Sequence, residues 1–227
     1  MIVMQAPDPK PDRDRNTLLV FDIAALLVAG GLFLAIAEDV ASGDPLVMLD
    51  ARVATWLHAH ASPGLTKFFL LVTYIHGLVP ICTFALVLAS ALAWQRDWYW
   101  LLRVGLVVPG GIVLNSLLKQ AYQRARPGFD EPLLTLTSFS FPSGHTAGAV
   151  LFYGMLAAVV MSRLESRGAR AACILLAVLL VALVGFSRMY LGVHYLSDVV
   201  AAACASVAWL AFCLVAVHAL SLRRAVR

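Results

Sequence analysis

The sequence predicts an all-α, polytopic membrane protein with six transmembrane helices and a short amphipathic helix at the membrane interface. Of its 227 residues, 61% are hydrophobic and only 13% are charged, whereas soluble domains are about 45–50% apolar and about 25% charged. The apolar residues fall into runs that approach the roughly 20 residues a helix needs to cross a bilayer. The net charge of +4 comes from basic residues scattered in short turns, which favours membrane topology over a nucleic-acid-binding face.

Six apolar runs follow a polar N-terminal segment, and together they suit a single membrane-embedded domain over residues 1–227. Residues 1–16 carry two prolines and charges of both signs, which predicts a short, loosely ordered cytoplasmic tail. The predicted spans lie at about 17–37, 68–94, 101–118, 146–162, 171–187 and 195–221. The fourth and fifth runs are short, so we expect them to extend into their flanking residues. The first run is longer than the roughly 7–15 apolar residues of a signal peptide, which favours an uncleaved span.

The segment between the first two spans predicts a helix in the outer membrane interface. Residues 45–60 place apolar side chains at helical spacing, with Trp56 as an interfacial anchor. This helix either guides a lipid toward a site or only ties the first span to the second. In the third span, Pro109-Gly110-Gly111 predicts a kinked or thinned helix that allows close packing.

The distribution of Lys and Arg predicts the orientation of the spans. One set of span ends is basic and, by the positive-inside rule, should face the cytoplasm. Its positive residues are Lys10, Arg13, Arg15, Arg96, Arg163, Arg167, Arg170, Arg223, Arg224 and Arg227. An even number of spans then places both termini in the cytoplasm.

Three short polar clusters interrupt the apolar sequence. They read Lys119-x6-Arg126-Pro127, Pro142-Ser143-Gly144-His145, and Ser187-Arg188-x5-His194-x3-Asp198. Charged side chains at membrane depth are costly and usually functional. The alternation of six spans places all three clusters on the same outer side of the membrane, so we expect them to form one site within residues 119–198.

The third cluster holds a candidate nucleophile. His194 and Asp198 are four residues apart, and on a helix this spacing places both side chains on one face. Asp198 can then accept a hydrogen bond from one ring nitrogen of His194 and leave the lone pair of the other free to attack. Considered alone, the same pair is equally consistent with a purely structural contact.

The second cluster is typical of a helix start. Pro142 suits a first helical turn, Ser143 can cap the helix, and Gly144 lets a ligand approach the backbone. Free N–H groups at a helix N-terminus bind anions, and His145 beside such an anion could protonate a departing oxygen. The alternative is an ordinary helix cap with a histidine at the interface.

Fixed positive charge comes from Lys119, Arg126 and Arg188. Arginine forks match phosphate oxygens and lysine adds a point charge, so the three side chains suit the charge that develops during phosphoryl transfer. Each of them considered alone could be a snorkelling residue at the end of a span. Arg124 lies in the same loop, and we expect it behind the residues that touch phosphate.

The three clusters together resemble the type-2 phosphatidic acid phosphatase family. Its motifs can be written K-x6-R-P, P-S-G-H and S-R-x5-H-x3-D, and the chain matches all three without a departure. The resemblance implies that His194 forms a phosphohistidine, that Asp198 orients it, and that His145 is the general acid. It further implies one set of residues that bind the phosphate and a second set that contact and position the first. The phosphate-holding residues are Lys119, Arg126, Ser143, Gly144 and Arg188, and the supporting residues are Arg124, Ser187 and Pro142.

The resemblance also implies a substrate class and a location. The expected substrate is a membrane lipid phosphate or diphosphate in the bilayer, such as undecaprenyl diphosphate, phosphatidylglycerol phosphate, phosphatidic acid or a lipid A phosphate. The compact chain favours undecaprenyl diphosphate or a glycerophospholipid phosphate. The expected site is periplasmic, on a bacterial inner membrane protein. No metal, cofactor or nucleic acid is expected, and Asp130 and Glu131 are better explained as exposed loop charges than as metal ligands.

Other functions remain open at this stage. The same phosphohistidine could transfer its phosphoryl group to an acceptor other than water, which would make the protein a phosphotransferase. A six-helix protein with buried cations could also be an anion transporter, although no inverted repeat is visible in the sequence. Vanadium haloperoxidases share the anion-binding residues, but they are soluble proteins.

Overall fold

A computed structural model describes residues 12–43 and 45–225, and the regular elements of this part of the chain are all α-helices. The helices are α1 (Asp12–Ser42), α2 (Pro45–Ala59), α3 (Pro63–Ile75), α4 (Leu78–Trp94), α5 (Trp98–Tyr122), α6 (Gly144–Met161), α7 (Arg167–Tyr190) and α8 (Leu196–Ala225). Five of them are long and apolar enough to cross a membrane, and the bent pair α3 and α4 can make a sixth span. The predicted all-α, multi-pass membrane fold is confirmed.

The first helix begins earlier than the sequence pattern indicated. Residues 12–16, assigned to a loosely ordered tail, are helical, while residues 1–11 of that tail lie outside the described part of the chain. Pro11 stands just before the first helical residue, and no proline interrupts the 31 residues that follow. The charged residues among 12–16 therefore do not prevent helix formation, and the helix begins directly after the proline.

The second predicted span, 68–94, is not one continuous helix. The structure breaks it between Ile75 and Leu78, and the two parts are bent by 47°. Gly77 is in an extended conformation at the break, with φ −67° and ψ 172°, and Pro80 lies in the first turn of α4, where its missing N–H costs nothing. The run 68–94 is therefore a candidate span only when the two helices are taken together. Hydropathy counts apolar residues and does not reveal such a break.

The centre of the bundle is formed by close contacts of α5 with α6 and α8. A Cβ added to Gly111 would lie 2.5 Å from Leu151, and one added to Gly110 would lie 2.6 Å from the Trp209 ring. The indole N–H of Trp209 donates to the Val107 carbonyl at 3.0 Å. Helix α5 runs through Pro109 without a break, so the predicted close packing at these glycines is confirmed.

Helix α2 contacts the ends of three other helices, α1, α7 and α8. It covers residues 45–59, as the apolar spacing predicted. Leu49 and Trp56 are 46% and 60% exposed and suit contact with lipid, whereas Asp50 and Leu57 are buried against the protein. At the opposite end of the bundle, Arg163 pairs with Asp97 at 3.1 Å.

Candidate active site

The three polar clusters meet at one end of the bundle. They lie at the end of α5, the start of α6, the end of α7 and the start of α8. Two backbone hydrogen bonds join their segments: Ser140 N–H donates to the Arg124 carbonyl at 2.8 Å, and Ser143 N–H donates to the Asp198 carbonyl at 3.0 Å. Residues that are up to 79 positions apart therefore contribute to one small volume, since cluster one begins at 119 and cluster three ends at 198.

His194 and Asp198 are in contact, but they do not share a helix. His194 lies in the turn between α7 and α8, and Asp198 lies in the first turn of α8. The distance from His194 Nδ1 to Asp198 Oδ2 is 3.3 Å. The same Oδ2 accepts the Tyr195 N–H at 2.9 Å, which is the reach-back contact of a helix capping box. The assumed shared helical face was wrong, because the helix begins only at Leu196.

The surroundings of His194 determine which ring nitrogen carries the proton. Nδ1 faces the Asp198 carboxylate, whereas Nε2 lies 3.2 Å from a donor nitrogen of Arg126. Nδ1 therefore carries the hydrogen and Nε2 carries the lone pair. Burial lowers the pKa of His194 to about 3; Asp198 opposes this shift, while Arg188 and Arg126 add to it. The ring is thus neutral at pH 7, as a nucleophile must be.

Arg188 is buried and only partly paired. It is 1% exposed, and its Nη1 donates to the hydroxyl of Thr73 on α3. Its Nε and Nη2 are buried and have no hydrogen-bond partner among the described residues. A buried, unpaired guanidinium donor is costly, and two N–H groups on one fork match two oxygens of a phosphate.

Lys119 and Arg126 hold the loop that precedes α6. Lys119 Nζ donates to the carbonyls of Phe139 at 2.6 Å and Ser140 at 3.2 Å. Arg126 donates to the Ser138 carbonyl at 2.7 Å as well as lying against His194. Arg126 is therefore beside the candidate nucleophile, and both cations fix the backbone of the preceding loop.

The helix start at the second cluster differs in detail from the expectation. Ser143 is the N-cap of α6, and Pro142 precedes it rather than lying in the first turn. The Ser143 hydroxyl makes no capping hydrogen bond, because it accepts one from Thr146 at 3.0 Å. A Cβ added to Gly144 would lie 3.4 Å from the side-chain oxygen of Asn115, which is an ordinary van der Waals contact.

His145 faces the same region as His194. It lies in the first turn of α6, near Arg188, His194 and Arg126. Ser187 does not contribute its hydroxyl to this region, since it is buried and donates to the Val184 carbonyl of its own helix at 2.6 Å.

Arg124 contacts two carboxylates at this end of the bundle. It donates to Asp198 Oδ1 at 2.6 Å and to Asp50 Oδ2 at 2.8 Å. Burial acts to lower its pKa, but the two carboxylates outweigh burial and raise the pKa above its ordinary value. The guanidinium therefore links α2 to the carboxylate that contacts His194.

Sequence reasoning missed three residues of this arrangement. Asp50 is fully buried on α2, Ser140 donates its hydroxyl to Asp198 Oδ2, and Thr73 binds Arg188. An acidic residue inside an amphipathic helix was a visible signal for Asp50. Nothing in the sequence marks Thr73 or Ser140, because their roles depend on contacts between distant segments.

The described residues contain no group of three or more His, Cys, Asp or Glu side chains able to hold a metal ion. Asp130 and Glu131 are exposed in the loop between α5 and α6. The arrangement instead combines cations, unpaired buried N–H donors and a neutral imidazole. Such a set can bind a tetrahedral anion and attack its central atom.

Comparison with known proteins gives a consistent result. Residues 98–221 match the family model described as the PAP2 superfamily. The chain is 39% identical to phosphatidylglycerophosphatase B of Bacillus subtilis (strain 168) over 113 residues, which cover 49% of this chain and 54% of that protein. The match thus spans about half the length of the curated relative.

Two solved structures are similar to most of this chain. One is described as the first transmembrane PAP2-type phosphatidylglycerolphosphate phosphatase from Bacillus subtilis; its TM-score is 0.73 at 28% identity, with 84% of this chain and 94% of that chain covered. The other is Aquifex aeolicus LpxE, with a TM-score of 0.58 at 25% identity, and 73% and 94% of the two chains covered.

Proposed function

The chain belongs to the PAP2 superfamily, and on that premise we propose that it is a membrane phosphatase acting on the phosphate of a membrane lipid. The resemblance drawn from the three motifs is confirmed by the family match, which extends over more than half of the chain. The protein is a multi-pass membrane protein.

One observation carries the proposal more than any other. In the part of the chain that the structure describes, two buried donor nitrogens of Arg188 have no partner, and they lie close to a neutral imidazole whose free lone pair is on Nε2. A phosphoryl group between them would satisfy the donors and present phosphorus to the lone pair. Fixed positive charge beside a neutral nucleophile suits the charge that develops on the oxygens during phosphoryl transfer.

The reaction follows from this arrangement. The Nε2 atom of His194 attacks phosphorus, the bond from phosphorus to the lipid oxygen breaks, and His145 gives its proton to that oxygen. Asp198 stabilises the positive charge on the ring. His145 then takes a proton from water, the resulting hydroxide attacks the phosphohistidine, and inorganic phosphate leaves with Nε2 restored. Arg126, which donates to Nε2 in the structure, would turn to a phosphate oxygen as substrate binds.

The substrate is proposed to be a glycerophospholipid phosphate. The names of the Bacillus subtilis relatives refer to phosphatidylglycerol phosphate, which favours this class over undecaprenyl diphosphate. The proposed site faces the periplasm, with both termini in the cytoplasm. Supporting this orientation, the end of the bundle opposite the site carries four exposed or half-exposed arginines, Arg96, Arg163, Arg167 and Arg170.

Purified protein tests the proposal with a panel of lipid monophosphates and diphosphates, each with and without EDTA and vanadate. We expect release of inorganic phosphate without an added acceptor, inhibition by vanadate, and little effect of EDTA. His194→Ala should abolish release, whereas His60→Ala, which changes an exposed histidine in the turn just after α2, should not. Release that needs an added acceptor would indicate a phosphotransferase, and anion flux into vesicles without release would indicate a transporter.

A further inference from the structure

The helix at the membrane interface turns a carboxylate toward the bundle. Asp50 on α2 is completely buried, although its neighbour Leu49 is 46% exposed. A buried carboxylate is expensive unless it is paired and hydrogen-bonded. The partners of Asp50 therefore indicate why it is there.

Asp50 accepts hydrogen bonds from two different segments. Its Oδ1 accepts the backbone N–H of Ser197 at 2.9 Å, and its Oδ2 accepts the Ser197 hydroxyl. Oδ2 also accepts Arg124 Nη2 at 2.8 Å. Because Ser197 lies in the first turn of α8, the negative charge is placed where a helix N-terminus stabilises it.

Arg124 continues the chain of contacts to the candidate catalytic pair. Its Nη1 donates to Asp198 Oδ1 at 2.6 Å and to the Ser197 hydroxyl at 2.7 Å. Its guanidinium carbon lies 4.3 Å above the centre of the Tyr195 ring, which limits rotation of the fork. With Oδ1 held by Arg124, the other oxygen of Asp198 is the one directed at His194 Nδ1.

We propose that Asp50 is a positioning residue for the His194–Asp198 pair and acts through Arg124. This inference rests on the proposed function, in which His194 is the nucleophile. Without the carboxylate on α2, the Arg124 fork loses one of its two anionic partners and the start of α8 loses an acceptor. Arg124 then holds Asp198 Oδ1 less firmly, while Ser140 and Tyr195 still donate to Oδ2, so the carboxylate can tilt and the imidazole departs from the geometry for in-line attack.

The first test is the kinetics of Asp50→Asn, which keeps the shape of the side chain and removes its charge. A small displacement of a reacting group costs up to about a hundredfold in rate, so we expect kcat to fall about ten- to hundredfold. KM and inhibition by vanadate should change little, because Lys119, Arg126 and Arg188 are untouched. Asp130→Asn is the matched control, since Asp130 is an exposed carboxylate at the same end of the bundle. Equal kcat in both variants and wild type would overturn the proposal.

A double-mutant cycle separates positioning from a general structural role. If Asp50 acts through Asp198, then Asp50→Asn should cause almost no further loss of kcat in an Asp198→Asn background. If Asp50 only stabilises the fold, the two losses should multiply, and that result would contradict the proposal.

A third measurement does not depend on activity. In protein labelled with 15N-histidine, the His194 signal is identified by its loss in His194→Asn, and wild type should show the Nδ1–H tautomer. Asp50→Asn should give a mixture of tautomers. Arg124→Lys should do the same, because lysine cannot bridge two carboxylates with a rigid fork, and it serves as the second variant if Asp50→Asn folds poorly. An unchanged His194 signal in both would overturn the inference, whereas wild type that releases no phosphate would overturn the proposed function instead.

Discussion

The His194 imidazole lies between a carboxylate on one side and a guanidinium on the other. Asp198 contacts Nδ1 and Arg126 contacts Nε2. This pair of contacts fixes the tautomer, while burial, against the pull of Asp198, keeps the ring neutral. Asp198 therefore determines which ring nitrogen is free to react.

Asp198→Asn should reduce kcat by about 10³–10⁴, because the amide cannot stabilise the positive charge on the ring and favours the wrong tautomer. KM should change little, since the anion-binding residues remain. Steady-state kinetics with a lipid monophosphate measures both quantities. A loss of less than about tenfold would mean that the carboxylate is not needed to orient the nucleophile.

The pKa of His194 predicts the acid limb of the pH profile. A histidine of ordinary pKa would be protonated and inactive below about pH 6.5. Because burial lowers the pKa of His194 to about 3, the neutral form persists to lower pH, and kcat/KM should show no loss from this residue between about pH 5 and 7. The measurement requires correction for ionisation of the substrate, which 31P NMR provides. An acid limb near pH 6.5 after correction would contradict the prediction.

The residues that carry the chemistry of the site were easier to predict than the residues that hold them in place. Residues such as His194, Asp198 and Arg188 carry functional groups whose spacing is a local property of the sequence. Thr73 and Asp50 support them from other segments, and only the folded chain brings these segments together. Contacts between residues that are far apart in the sequence cannot be predicted from composition or periodicity.

At the scale of helices, the apolar runs located each element to within a few residues, but they did not reveal where a span is interrupted. Hydropathy treats residues 68–94 alike. The break depends on Gly77 and on His76, whose ring bonds the Val72 carbonyl at 2.7 Å and the Tyr153 hydroxyl at 2.8 Å. The second of these contacts joins residues 77 positions apart and is invisible to a sliding window.

Helix α5 contains one glycine whose substitution by alanine should be destabilising and another whose substitution should be tolerated. A methyl group at Gly111 would lie 2.5 Å from the buried Leu151 side chain, while nothing lies within 4 Å of one at Gly105. Overpacking a core typically costs about 1–3 kcal/mol. Gly111→Ala should therefore lower the thermal unfolding midpoint in detergent. Gly105→Ala on the same helix should leave it unchanged or raise it, and similar midpoints for the two variants would show that the contact can relax.

At the scale of the whole molecule, the two ends of the bundle differ in charge and in chemistry. The clusters that form the candidate site lie at one end, and exposed arginines such as Arg167 lie at the other. Counting six alternating spans was enough to predict that the clusters share one end. The bent pair α3 and α4 is compatible with that count, because together the two helices are long and apolar enough to make one span.

Chemical labelling in intact cells tests the proposed orientation. Asp130→Cys places a thiol in the exposed loop near the site, and Arg167→Cys places one at the exposed opposite end. A maleimide that cannot cross membranes should label the first variant in intact cells and the second only after lysis. Wild type, with its four native cysteines, sets the background, and the reverse pattern would invert the topology.

The bend of 47° between α3 and α4 has a consequence for how the protein fits its bilayer. A straight rod matches one hydrocarbon thickness, whereas two short rods meeting at an angle change their combined reach by changing that angle, and mismatch costs only fractions of a kcal/mol per Å. Helix α3 is held to α7 by the Thr73–Arg188 contact, so we expect α4 to take up the adjustment. The guanidinium of Arg188 should then keep the same position in the site in thick and in thin bilayers.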